Sequence, residues 1–81
     1  MSQTTEFDPF HLIRAGVIYE LQKESEGGYT ISVPALLGCI SVGETIDEAL
    51  EMISDAMEGW IEVAREQGLA IPSQFDLQQA S

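Results

Sequence analysis

The sequence predicts a small α+β domain: an antiparallel sheet of about three strands, with room for a short fourth, packed by one long helix. Three observations carry this expectation. Apolar residues alternate with a period of two over residues 16–23 and again over 29–33. A stripe of apolar residues at helical spacing fills 46–67. Between them Thr45 and Glu48 stand three residues apart. That is the spacing of a capping box, in which each side chain satisfies a backbone donor left open at the helix start.

Residues 1–9 are polar, end in Asp8-Pro9 and read as a flexible tail; residues 10–81 read as one domain. Residues 10–15, Phe-His-Leu-Ile-Arg-Ala, fit either a short helix or a lead-in to the sheet. The first clear strand covers 16–23, with Val17, Tyr19 and Leu21 on one face and Ile18, Glu20 and Gln22 on the other. Ser25-Glu26-Gly27-Gly28 supplies turn residues. Tyr29, Ile31 and Val33 then alternate with Thr30 and Ser32, so the two runs make an antiparallel hairpin. Pro34 has no N–H for a central ladder and ends that strand or places it at an edge. Gly38 allows a tight bend, residues 39–42 form a short third strand, and Gly43 hands the chain to Thr45.

The helix over 46–67 is about 33 Å long at 1.5 Å per residue. Ile46, Ala49, Leu50, Ile53, Met57, Trp60, Ile61 and Ala64 form its apolar stripe. Burying each large side chain is worth roughly 1.5–3 kcal/mol, so the stripe must cover the apolar face of the sheet. Asp47, Glu51, Asp55, Glu58 and Glu62 occupy another side, where like charges three or four residues apart cost some tenths of a kcal/mol per pair. Gly59 costs up to about 1 kcal/mol against alanine and suggests a close backbone contact beside Trp60. Gly68 ends the helix. Pro72 excludes further helix over 69–71, and Phe75 and Leu77 alternate with Asp76 and Gln78 as a brief last strand.

Three basic residues, Arg14, Lys23 and Arg65, face fourteen acidic ones, for a net charge of -11. Nucleic-acid binders need cations to displace counterions from phosphates, which excludes direct nucleic-acid binding by this chain. The acidity suits a basic partner, whose approach it steers; a solvated acidic surface explains it equally well. One cysteine, Cys39, cannot form an intrachain disulfide, and a reducing, cytoplasmic location is the simplest expectation. No apolar run is long enough for a membrane span and the N-terminal residues lack a basic region followed by an apolar core, so neither membrane insertion nor secretion is expected. A chain this short buries only about 60% of its unfolded surface. Self-association is therefore expected to add stability.

The order of these elements and residues resembles the HicB-type antitoxin domain, over about residues 17–72. Gly28-Tyr29 matches the start of the family pattern, Pro34, Leu36, Gly38 and Cys39 its middle, and Ser41, Gly43, Thr45, Glu48 and Ala49 its end. Trp60 supplies the late aromatic residue, and residues 68–72 the turn that commonly follows. The match is specific because many spaced positions agree. Leu37 stands where the family usually has proline, which implies a looser loop. The resemblance implies a truncated ribonuclease H-like fold and the neutralisation of a small, basic, RNA-cleaving toxin of the HicA type. An RNA-cleaving protein holds phosphates on a cationic surface, which a chain this acidic can cover. An orphan HicB-like protein-interaction module without a toxin is the alternative. Longer HicB-type antitoxins carry a C-terminal DNA-binding segment; with nothing after Ser81, operator binding by this chain itself is not expected.

We expect no enzyme, no cofactor and no metal. Ribonuclease H chemistry uses carboxylates that hold divalent ions. Asp47, Glu48 and Glu51 lie within about one helical turn, but a solvated helix face accounts for them. No HExxH, Walker or nucleophile-elbow motif is present. His11 lacks a sequence partner for acid–base work and reads as a surface residue outside the regular elements. Cys39 has no neighbouring cation to activate it and reads as a small apolar filler. The candidates for partner contact are Tyr29, Leu36 and Leu37; Tyr29 and Leu36 serve equally well as core, and an exposed Leu37 would be the stronger signal. An open sheet edge offers a second route, strand addition to a partner or to another copy.

Overall fold

A computed structural model describes residues 8–75 as a four-stranded antiparallel meander with one helix on one face. The strands are β1 (Phe10–Arg14), β2 (Val17–Lys23), β3 (Tyr29–Ser32) and β4 (Ile40–Gly43), in spatial order β1-β2-β3-β4; the helix α1 is Ile46–Gln67. The α+β class and the helix bounds agree with the sequence expectation. Asp8 and Pro9 are exposed and irregular; the rest of the expected tail, and Leu77, lie outside the described residues.

The fourth strand comes from residues 10–14, which form a full strand paired with β2 from Phe10↔Leu21 to Arg14↔Val17. Its two-residue turn is Ala15-Gly16, with φ of 54° and 80°. Positive φ at both central residues is the signature of a type I′ hairpin, a geometry that favours Asn-Gly and that alanine adopts only with strain. An alanine in this position hides the turn from a reading of turn residues. The expected last strand is also absent at Phe75. The Phe75 N–H donates to Pro72 O at 3.0 Å, closing a short 3-10 turn over Ser73–Phe75.

One face of the sheet is the core. Val17, Tyr19 and Leu21 point inward from β2 and Ile31 from β3, with Val33, Leu36 and Cys39 following from the loop. From the helix, Ala49 and Ile53 close over them, and Phe75 returns from the C-terminal turn. Leu21, Ile31, Ala49 and Ile53 are wholly inaccessible to solvent.

What sets the helix so close to the sheet is the size of the inward residues of β4. Register pairs Ile31↔Ser41 and Tyr29↔Gly43 turn Ser41 and Gly43 toward the helix. A Cβ placed on Gly43 would stand 2.6 Å from Ala49 Cα and 2.8 Å from Glu48 C, inside the helix backbone. Only glycine permits this approach. The helix start is fixed at the same place: Thr45 Oγ1 accepts from Glu48 N–H at 3.0 Å, and Glu48 Oε1 accepts from Glu44 N–H at 2.7 Å. The hydroxyl half of the capping box is as expected, while the carboxylate reaches one residue further back than the cap itself. At the other end Gly68, at φ 72°, donates to Arg65 O, and Leu69 N–H donates to Ala64 O at 2.8 Å. This is a Schellman-type stop.

Gly43 and the exposed, mid-helix Gly59 therefore predict opposite stability effects. Gly43→Ala forces a methyl group into immovable backbone and is expected to cost about 1–3 kcal/mol, at the upper end of that range. A Cβ on Gly59 would meet nothing within 4 Å. The close contact expected there from sequence does not exist, and Gly59→Ala is expected to gain up to about 1 kcal/mol. Urea denaturation of both variants checks the pair of signs.

Candidate functional site

The loop between β3 and β4 is closed tightly. Val33 N–H donates to Cys39 O at 3.1 Å, Leu36 N–H to Val33 O at 2.9 Å and Cys39 N–H to Leu36 O at 3.0 Å. The last bond spans Leu36 to Cys39, with Gly38 third in the turn at φ 83°. That is a type II turn, and Leu37 holds its second position, where proline is favoured. The residue that departs from the family pattern thus occupies a site suited to the family's proline. The loop is not loose for lack of it: the Trp60 indole Nε1–H donates to Leu37 O at 2.9 Å, tying the loop apex to α1.

The structure separates the three sequence candidates. Leu36 is 1% exposed and anchors the loop in the core, so it can act on a partner only by holding the loop in place. Leu37 is 91% exposed at the apex. Tyr29 is half-buried: its ring meets Phe10 edge-on at 6.4 Å, and Lys23 Nζ lies 5.2 Å from the ring centre.

Around Leu37 lies an apolar groove of about 550 Å³, floored by Ala56, Gly59 and Trp60 and walled by Ile40, Val63 and Leu69. A second hollow of about 410 Å³ lies further along β4 and α1. Tyr29, Val42 and Met52 line it together with the carboxylates of Glu24, Glu44 and Glu48. Leu37, Ile40, Val42, Met52, Val63 and Leu69 are exposed large hydrophobic residues, and all six line one or other of these hollows. Such residues scattered singly are normal, but a concentration on one flank marks an interaction surface. Among the described residues only Ile13 and Ile18, paired across the β1–β2 hairpin, are exposed large hydrophobics elsewhere. Of this flank, sequence reasoning singled out Leu37 and Tyr29 and missed the rest. The signal available to it was Ile40 and Val42 on the outward side of an edge strand, and Val63 outside the helix's main stripe.

Among the described residues no three His, Cys, Asp or Glu side chains come together as a metal site. Glu48 is engaged in the helix cap. Cys39 is 3% exposed, and burial pushes its thiol above the usual range, which disfavours the reactive thiolate. His11 belongs to β1, contrary to the expectation from sequence, and its Nε2 lies 3.8 Å from Glu20 Oε1 on the neighbouring strand. No helix among the described residues is long and apolar enough to cross a membrane.

The model of a HicB-like antitoxin of bacterial toxin-antitoxin systems matches residues 17–81, and the chain belongs to that family. It is similar to a UPF0150 protein of Synechocystis sp., 39% identical over 49 residues, covering 60% of this chain and 67% of the relative. A second UPF0150 protein of the same organism is 48% identical over 42 residues, covering 52% and 53%. A UPF0150 protein of Thermoplasma acidophilum is 38% identical over 52 residues, covering 64% and 75%. No solved structure matches the chain.

The Trp60–Leu37 bond gives a direct test of how the loop is held. Trp60→Phe keeps an aromatic ring on the groove floor, removes the donor and trims the bicyclic ring to a single one. It is expected to lower stability by about 1 kcal/mol, the usual net worth of one hydrogen bond. It should also speed amide exchange across residues 36–39, a change that NMR hydrogen exchange measures.

Proposed function

We propose that this chain is an antitoxin that binds and neutralises a small, basic, RNA-cleaving toxin of the HicA type. One observation carries the reading: six exposed hydrophobic residues line a single flank of a chain whose net charge is -11. A toxin that cleaves RNA needs a cationic surface to hold phosphates. An acidic flank with apolar contacts can cover such a surface and keep RNA away from it. The charge speeds encounter, and the buried apolar area slows dissociation. Leu37 is the contact at the loop apex, Tyr29 lines the acidic hollow, and Leu36 keeps the loop in register. The inhibitor acts in the cytoplasm, needs no cofactor and breaks no bonds itself.

Among the described residues the sheet has two open edges. The flank along β4 is the acidic one and suits the toxin. The edge at β1 lies beside exposed Ile13 and Ile18, and we assign it to a second copy of the chain. Strand addition there would extend the sheet and cover both isoleucines.

Two measurements check these readings. The protein encoded next to this chain, purified alone, is expected to be basic, to cut RNA and to lose that activity when this chain is added in excess. Undiminished cleavage contradicts the antitoxin reading. Sedimentation equilibrium at micromolar concentration is expected to give the mass of two chains for the wild type and of one for Ile13→Lys. A single-chain mass for the wild type contradicts the dimer.

A further inference from the structure

We propose that the groove beside Trp60 receives one apolar side chain from a cationic polypeptide segment, and that Gly59 leaves it the room. The inference deepens the antitoxin reading and rests on it only in taking the partner to be basic. Gly59 lies in the middle of a 22-residue helix, where glycine is the poorest residue short of proline. Nothing in the fold requires it there. A Cβ would meet no atom within 4 Å, and the residue lines the groove floor. Its missing side chain is thus a feature of the surface and not of the packing.

Charge selects the occupant. Asp55 stands one turn before Gly59, Glu62 three residues after it, and Glu66 one turn beyond Val63; all three are exposed. By helical geometry these carboxylates border the groove along its outer side. A second copy of the chain would set this row against an identical one, at a cost in like-charge repulsion. A segment carrying lysine or arginine on either side of one large apolar residue satisfies both features: the apolar group fills the groove, and the cations meet the carboxylates. The groove floor and walls are fixed in advance by the Trp60–Leu37 hydrogen bond, so little ordering is needed on binding.

Trp60 is the chain's single tryptophan and lines the groove, so its fluorescence reports occupancy. The probes are two tryptophan-free peptides of alternating lysine and serine, one with a central phenylalanine and the other with serine at that place. At physiological ionic strength the phenylalanine peptide is expected to bind the full chain about tenfold tighter or more, the order expected for one buried apolar group. It should also shift the Trp60 emission. Gly59→Leu fills the groove from within; it is expected to abolish the preference. Val63→Ser, at an exposed wall position, is expected to weaken the preference and serves if Gly59→Leu fails to fold. Equal affinity of the two peptides for the wild type overturns the proposal. So does binding that leaves the Trp60 emission unmoved, or a preference that survives both substitutions. The peptides stand in for the toxin, so such a result leaves the antitoxin reading to be decided by RNA cleavage alone.

Discussion

The close approach of Gly43 to the first turn of α1 is the constraint on which the rest of the molecule depends. Glycine at this strand end brings the helix backbone against β4 at Ala49. The Thr45 cap then starts the helix at that point, and its axis is committed from there. Trp60 consequently arrives beneath the β3–β4 loop with its indole N–H within reach of Leu37 O. Loop apex, β4 and helix thereby form one flank, and its shape follows from a contact at the opposite end of the helix.

Much of this was legible in the sequence, where the physics is local. Alternation found β2 and β3, periodicity found α1 to its last residue, and Thr45 with Glu48 marked its start. The first strand was legible only as one of two alternatives, a short helix or a lead-in to the sheet, because Ala15 occupies a positive-φ position that turn chemistry assigns to asparagine or glycine. Phe75 was misread as a strand because its alternation with neighbours imitates a sheet, whereas its backbone closes a turn on Pro72.

The interaction surface was harder to read. Leu37 could be singled out because an exposed leucine on a loop has no packing role. The partition of Leu36 inward and Leu37 outward depends on a turn closed by Cys39, and Gly59 depends on what stands around it in space. In sequence a helical glycine suggests close packing; here the space around it is open. Residues that serve a partner break local rules without a gain inside the chain, and they become visible only when the fold shows that no gain is there.

Charge and shape act together on this flank. A net charge of -11 on so small a chain discourages association with copies of itself, except where uncharged residues lead, as Ile13 and Ile18 do. In the proposed antitoxin role the same charge draws a basic protein toward the apolar groove. The most direct test is an NMR titration of the labelled chain with the purified product of the neighbouring gene. The account predicts shift changes concentrated on residues 37–42, on the outer side of residues 52–66 and on the Trp60 indole. Shifts confined to the β1–β2 hairpin, or none at all at saturating partner, would contradict it.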